Sequence, residues 1–390
     1  MNKRSVRDLD VRDKRVLVRV DFNVPVQDGE VTDDTRIRRA LPTIRHLLEE
    51  GARPILISHL GRPKGEPDPK YAMDPVAARL QELLGEPVKK LDAAVGPEVE
   101  EALEDWDGRG VVLLENSRFY PGETSNDPEF ADQLAALADL YVNDAFGAAH
   151  RAHATTVGVA ERQLAAAGFL MEEEIDYLDK VLKDPERPFV AILGGAKVSD
   201  KLGVIESLLG TADSLLIGGA MCFTFFKAQG YEIGNSLVED DYLEEAKRLM
   251  EEAGDRLVLP VDVVVTEAME EDAESETVPV DGIPAGRMGL DIGPKTVDLF
   301  SEHISGASTI FWNGPMGVFE IDAFAKGTEG VARTVAESGV TSVVGGGDSV
   351  AAVNTLGLED RMSHISTGGG ASLEYVEGKE LPGIAVLPDK

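Results

Sequence analysis

The chain has 390 residues, which at about 150 residues per domain suggests two to three domains. Hydrophobic residues make up 43 % and charged residues 28 %, enough for real cores, so disorder, collagen-like repeats and disulfide scaffolds are excluded. With 38 Lys and Arg against 71 Asp and Glu, the net charge is −33, which disfavours nucleic acid and anionic membranes as partners.

That charge lies well beyond the roughly −2 to −8 that keeps a small domain soluble. It reads as a surface adapted to a concentrated-salt cytoplasm, the alternative being an ordinary acidic enzyme kept soluble by charge. The single cysteine, Cys222, excludes an intrachain disulfide and a Cys metal cluster, and its apolar neighbours suggest a buried thiol. The N-terminal MNKRSVRDLD has no apolar signal core. The longest apolar run, Leu215–Phe226, falls short of the roughly 20 residues of a membrane span. A soluble, cytoplasmic protein is expected.

Short β-rich runs alternate with amphipathic helical stretches along the whole chain. Strands are predicted at Arg15–Val20, Pro54–Ser58, Gly110–Leu114, Leu140–Asn143, Phe189–Leu193, Ser214–Ile217, Val261–Val265, Thr309–Trp312 and Thr341–Val344. Most are continuous apolar runs, the mark of strands buried on both faces in parallel sheets. Helical patterns fall at Pro42–Glu50, Pro75–Leu84, Ser199–Leu209, Tyr242–Glu252 and Ala323–Glu337. The alternation predicts βαβ units and an α/β fold with parallel sheets. The Glu/Asp-rich stretch Glu267–Glu276 is expected to be a solvated surface loop.

Charge divides the chain. Residues 1–170 carry 22 basic and 30 acidic residues, and residues 171–390 carry 16 and 41. A helix-like segment near Leu170–Leu182 precedes two prolines, Pro185 and Pro188, which suit a stiff connection. The predicted layout is 1–169 as one domain, 170–188 as a helical hinge, and 189–374 as the second domain.

The second half places glycines directly after its strands, at Gly194-Gly195, Gly218-Gly219, Gly314, Gly345-Gly346-Gly347 and Gly368-Gly369-Gly370. Ligands of parallel sheets bind at the carboxyl ends of strands, where glycine lets backbone N–H groups approach a phosphate. Five such sites favour a nucleotide site over plain turns. No G-x-x-x-x-G-K-[ST] and no G-x-G-x-x-G after a strand is present, which removes a P-loop protein and weakens a dinucleotide dehydrogenase. Lys197 and Lys201, four apart beside the first glycine loop, suit a polyphosphate; the alternative is two solvated surface lysines. Asp348, after three glycines, could hold Mg²⁺ beside phosphates or cap the next helix.

The first half instead carries Arg19, Arg36, Arg62, Arg118 and Arg151 near its strand ends, with His59, His150 and His153. Guanidinium forks bind carboxylate and phosphate. The cluster points to a small anionic substrate, against the plain reading of surface ion pairs. The histidines show no metal-ligand spacing.

These residues fall in blocks that resemble the phosphoglycerate kinase family: Arg19–Pro25, His59–Pro63, Glu115–Phe119, Asn143–His153, Ile192–Lys201, Gly289–Thr296, Trp312–Glu320, Gly345–Asp348 and Ser366–Glu374. They span nearly the whole chain in one order. The resemblance implies two Rossmann-like three-layer domains joined by a helical hinge that closes, with the tail 375–390 returning to the N-terminal domain. It implies 3-phosphoglycerate or 1,3-bisphosphoglycerate on Asp21, Asn23, Arg36, His59, Arg62, Arg118 and Arg151, with His150 nearby. It implies ADP or ATP with Mg²⁺ on Gly195, Lys197, Lys201, Gly219, Leu290, Asn313, Glu320, Gly346, Gly347, Asp348 and Ser349, the metal on Asp348. Arg36, Lys197 and the amides at Gly370 would serve the transferring phosphoryl group. A cytoplasmic monomer of glycolysis and gluconeogenesis is expected. Ser349 stands for the family's usual Thr, Ser117 and Ala148 for Val and Thr, and Ala220 for a third Gly; none removes a charged group. A non-enzymatic nucleotide-binding relative would be expected to lose Lys197, Arg36 or Asp348, and all three are present.

Overall fold

A computed structural model describes residues 2–390. The chain forms two units, one running to Asp176 and taking in Glu380–Lys390, the other Tyr177–Lys379.

The first unit is built on strands β1 (Arg15–Arg19), β2 (Arg53–Ile57), β3 (Val88–Lys90), β4 (Val111–Leu113), β5 (Leu140–Asn143) and β6 (Leu164–Ala167). They form one parallel sheet in the order β3-β4-β2-β1-β5-β6. Val16, Leu17 and Val18 are wholly buried, as a strand covered on both faces requires. The helix Thr35–Glu49 covers one face, burying Ile37, Ala40, Leu41, Ile44 and Leu47 at helical spacing. It starts seven residues before the predicted Pro42. Pro42 lies exposed inside the helix, so the carbonyl it leaves without a partner is on the side where water can serve it.

The second unit repeats the plan. Its parallel sheet holds β7 (Phe189–Leu193), β8 (Ser214–Ile217), β9 (Leu257–Val258), β13 (Thr309–Asn313), β14 (Thr341–Gly345) and β15 (His364–Ile365), in the order β9-β8-β7-β13-β14-β15. A second sheet of β10 (Asp262–Thr266), β11 (Ser275–Pro279) and β12 (Met288–Ile292) is antiparallel, with β10 in the middle. The apolar run at Val261–Val265 therefore belongs to this small sheet rather than to the parallel one. The acidic stretch 267–276 closes its outer hairpin, and Ser275 and Glu276 pair within it as an exposed edge.

The chain's end returns later than expected. The helix Gly370–Val376 stays with the second unit, where Tyr375 Oη donates to Asp179 at 2.6 Å and Ser207 Oγ to the Val376 carbonyl at 2.5 Å. The last eleven residues join the first unit. Arg4 N–H donates to the Pro388 carbonyl at 2.8 Å, Gly383 N–H to the Ala149 carbonyl at 2.8 Å, and Lys3 pairs with Asp389.

Candidate active site

In each unit the strand order reverses once, between β1 and β5 in the first and between β7 and β13 in the second. Parallel sheets bind ligands outside the carboxyl ends of the strands at such a reversal.

At the first reversal the loops after β1, β2, β4 and β5 supply the predicted cationic residues. Asp21 follows β1 and pairs with Arg36, which the helix Thr35–Glu49 presents in its first turn. Gly61 N–H donates to Asn23 Oδ1 at 2.8 Å, tying the β1 and β2 loops together. Arg118 donates from Nη1 to the Gly61 carbonyl at 2.9 Å, and its buried Nε has no partner. A buried guanidinium N–H left without an acceptor marks a place for an anionic oxygen. Arg151 is exposed and donates from Nε to His150 Nε2 at 3.1 Å; Arg62 is also exposed.

The charges act on one another. Burial pushes the Arg118 pKa down, and Arg19, Arg151 and Arg62 add to the effect. Burial also pushes His59 far below the ordinary histidine value, with further repulsion from Arg19, Arg118, Arg36 and His153. His153 is pushed down to about 4 by burial, with repulsion from Arg19, Arg118, Arg151 and His150. Like charges held this close create a strong positive potential that an anion relieves. The predicted residues Asp21, Asn23, Arg36, His59, Arg62, Arg118, His150 and Arg151 thus belong to one basin.

At the second reversal, three glycine turns stack. Gly194 N–H donates to the Asn313 carbonyl, Gly195 N–H to that of Pro315, Gly219 N–H to that of Met316, and Met221 N–H to that of Gly195. A Cβ at Gly194, Gly219 or Gly314 would collide with the backbone of a neighbouring turn. Gly195, Gly219 and Gly314 have φ of 118°, 68° and 97°, the left-handed region that glycine tolerates. The result is a floor made of backbone.

Lys201 Nζ donates to Asn313 Oδ1. Burial lowers the Lys201 pKa, while Asp200, Asp348 and Glu377 oppose the shift. Asn313 Nδ2 is buried and unpartnered, beside the Gly345-Gly346 turn. Lys197 is exposed on the loop after β7. Leu290 is half-buried and accepts the Val318 N–H at 2.8 Å, which fixes the loop leading to the exposed Glu320. Gly346 has φ 90° and precedes the helix Gly347–Thr355, whose first turn carries Asp348. Ser349 is buried, and its hydroxyl accepts from Gly314 N–H at 2.6 Å and donates to the Gly345 carbonyl at 3.0 Å. Its side chain therefore ties two loops together. Gly370 opens the helix Gly370–Val376 behind Gly369, φ 53°.

Asp348 is exposed, caps no backbone N–H and lies close enough to Lys201 to influence it. Among the described residues no group of three or more His, Cys, Asp or Glu side chains is arranged as a metal cage. One free carboxylate fits Mg²⁺, which commonly takes one or two carboxylates and completes its shell with phosphate oxygens and water.

The buried partners of the first basin were not legible as functional. Arg19 appears in the sequence as one arginine among several, and Glu123 and Thr155 carry no motif signal. Only the packing shows that they lie beneath His59.

The chain is similar to known proteins along nearly its whole length. The family model described as phosphoglycerate kinase matches residues 6–379. A phosphoglycerate kinase of Rubrobacter xylanophilus is 80 % identical over 390 residues, covering 100 % of this chain and 99 % of its own. One of Dictyoglomus turgidum is 59 % identical, covering 99 % and 98 %. The solved phosphoglycerate kinase of Coxiella burnetii superposes with a TM-score of 0.89 at 42 % identity, covering 98 % of each chain. That of Pyrococcus horikoshii gives 0.85 at 34 %, again covering 98 % of each. Fold and matches define a phosphotransferase of the α/β class. The chain belongs to the phosphoglycerate kinase family.

Proposed function

We propose that this chain transfers a phosphoryl group reversibly between 1,3-bisphosphoglycerate and ADP, giving 3-phosphoglycerate and ATP in glycolysis and gluconeogenesis. The observation that carries the reading is the pairing of two different strand-end sites in one chain: an arginine and histidine basin in the first unit and a glycine floor with two lysines in the second. The first suits a small molecule bearing carboxylate and phosphate, the second a polyphosphate.

The phosphoglycerate is held by Arg36, Arg62, Arg118 and Arg151, with Asn23 and His59 as neutral partners and Asp21 orienting Arg36. His150 holds Arg151. The nucleotide phosphates lie over the amides of Gly195, Gly219, Gly346 and Gly347, with the Asn313 amide and Lys201 as side-chain donors. Leu290 packs on the base and Glu320 accepts from the ribose. Asp348 would hold Mg²⁺, which would supply charge neutralisation of the nucleotide phosphates.

In the ATP-forming direction an anionic β-phosphate oxygen of ADP attacks the acyl phosphorus, and the bond to the carboxylate oxygen breaks. No general base is needed. The transition state is loose, with charge on its peripheral oxygens, so placement and positive charge supply the catalysis. Lys197 follows the transferring group, Arg36 supports it from the phosphoglycerate side, and the amides at Gly370 add donors. Each unit holds one substrate, so transfer needs a closing movement, and we place its hinge in 170–188. A cytoplasmic monomer working in high salt completes the reading. No helix among the described residues is long and apolar enough to cross a membrane.

Calorimetric titration tests the division of labour. Arg118→Ala is expected to weaken 3-phosphoglycerate binding and leave ADP binding intact. Loss of ADP binding in that folded variant would overturn it.

A further inference from the structure

Arg19 ends β1, and its guanidinium is turned into the first unit, 1 % exposed. Its Nη2 lies 3.0 Å from Nδ1 of His59. A guanidinium has five N–H donors and no acceptor. Nδ1 must therefore accept, and a ring that accepts at Nδ1 is neutral and carries its proton on Nε2. Arg19 is itself fixed on every side. Nε donates to Thr155 Oγ1 at 2.8 Å, and Nη1 donates to the Val20 carbonyl and to Ser58 Oγ.

A buried guanidinium needs a counter-charge, and it has one a single hydroxyl away. Thr155 Oγ1 donates to Glu123 Oε1 at 2.6 Å, and Thr155 N–H donates to Glu123 Oε2 at 3.0 Å. Ser117 Oγ adds a bond at 3.3 Å, and Glu123 is 0 % exposed. Glu123, Thr155, Arg19 and His59 thus form one buried chain running up to the basin.

We infer that Arg19 is a positioning residue: anchored on Glu123 through Thr155, it locks His59 as the neutral Nε2–H tautomer, a hydrogen-bond donor for an anionic oxygen of the phosphoglycerate. The inference rests on the assignment of His59 to that substrate. The charged and titratable groups facing the ring are Arg19 from β1, Arg36 from the helix Thr35–Glu49, Arg118 from the loop after β4 and His153 from the loop after β5. Each of the four disfavours a proton on Nδ1, as does burial. The basin therefore gains a donor whose state stays constant across physiological pH.

The direct test is a two-bond ¹H–¹⁵N correlation spectrum of the full-length protein with ¹⁵N-labelled histidine, the His59 signals being those lost in His59→Gln. The expected pattern is the Nε2–H tautomer, unchanged between about pH 8 and pH 5.5. An Nδ1–H pattern, or protonation in that range, overturns the inference whether or not any Arg19 variant folds. In kinetics, Arg19→Met is expected to raise KM for 3-phosphoglycerate at least tenfold with KM for ATP unchanged, and Arg19→Lys, which keeps a donor, to recover part of it. Equal losses for both substrates in a folded Arg19→Met would mark a merely structural residue and contradict the inference. His59→Ala separates the two claims. If it binds 3-phosphoglycerate like the wild type, the substrate assignment fails and the inference with it, whatever the tautomer. If it loses binding while the spectrum shows Nδ1–H, the assignment stands and the role of Arg19 is refuted.

Discussion

Lys201 Nζ donates to the side-chain carbonyl of Asn313, and this single bond orients the Asn313 amide so that Nδ2 stays free beside the Gly345-Gly346 turn. Asn313→Asp keeps the shape and strengthens the pairing with Lys201, but it replaces the donor by an anion. The expected outcome is unchanged or higher thermal stability with ADP binding weakened at least tenfold, since a charge-assisted donor contact is lost and a repulsion gained. Calorimetry and a thermal melt on the same preparation check both halves.

Lys197 is exposed on the loop after β7, with its charge free for a ligand. Lys197→Ala is expected to lower kcat by roughly two to five decades, the scale of lost electrostatic stabilisation in phosphoryl transfer, with ADP affinity within about tenfold. Steady-state rates combined with calorimetric ADP binding decide it. A wild-type kcat in the variant would remove Lys197 from the mechanism.

Asp144 caps the helix Phe169–Leu182, its Oδ1 accepting Leu170 N–H at 2.9 Å. Burial raises its pKa to about 7, against bonds from Thr43, Met171 and Leu170 that favour the anion. In the unfolded chain the same carboxyl titrates near 3.8. Between these values the folded state holds the extra proton, so this group's contribution falls as pH rises from about 4 to about 7. Asp144→Asn keeps an acceptor for Leu170 and removes the buried charge. Its unfolding free energy relative to wild type, read from melts at each pH, is expected to be clearly higher at pH 8 than at pH 5, by on the order of a few kcal/mol at most. Burial raises Asp291 to about 7 as well, so wild-type Tm alone mixes two groups and the variant difference is the quantity to read.

The net charge of −33 repels both anionic substrates and the protein's own surface. At about 1 M salt the Debye length is roughly 3 Å, which removes long-range repulsion and leaves close Arg–phosphate contacts in weakened form. We expect repulsion to dominate, so stability and kcat/KM should both rise from about 0.1 M to above 1 M KCl. Residues 171–390 carry 16 basic and 41 acidic residues, so the second unit should unfold first as salt is withdrawn. Melts and initial rates across a KCl series test this. Equal stability with higher activity at 0.1 M would show that the acidity is no adaptation to salt.

What the sequence made visible follows from chemistry that admits few residue types. Gly194, Gly219 and Gly314 stood out because they directly follow strands, and the structure adds that a Cβ at any of them would strike a neighbouring backbone. The arginines stood out because so acidic a chain rarely gathers them. Features set by packing were hidden. The run 261–265 has the apolar content of a parallel strand, and only its pairing with β11 and β12 reveals an antiparallel sheet. The helix start at Thr35 was masked by Pro42, which is tolerated where solvent can serve the orphaned carbonyl. The bonds by which the Ser349 hydroxyl joins two loops also come from packing alone. Arg19 could not be told from its neighbours until its contacts with His59 and Thr155 were seen.

The measurement that bears most directly on the whole account is the rate of ATP formation from 1,3-bisphosphoglycerate and ADP, with and without Mg²⁺, for the wild type beside an Arg36→Ala/Lys197→Ala double variant. The account predicts Mg²⁺-dependent turnover by the wild type that falls by several decades in the double variant while the variant stays folded. No ATP formation by the folded wild type, or equal rates in the two proteins, would contradict it.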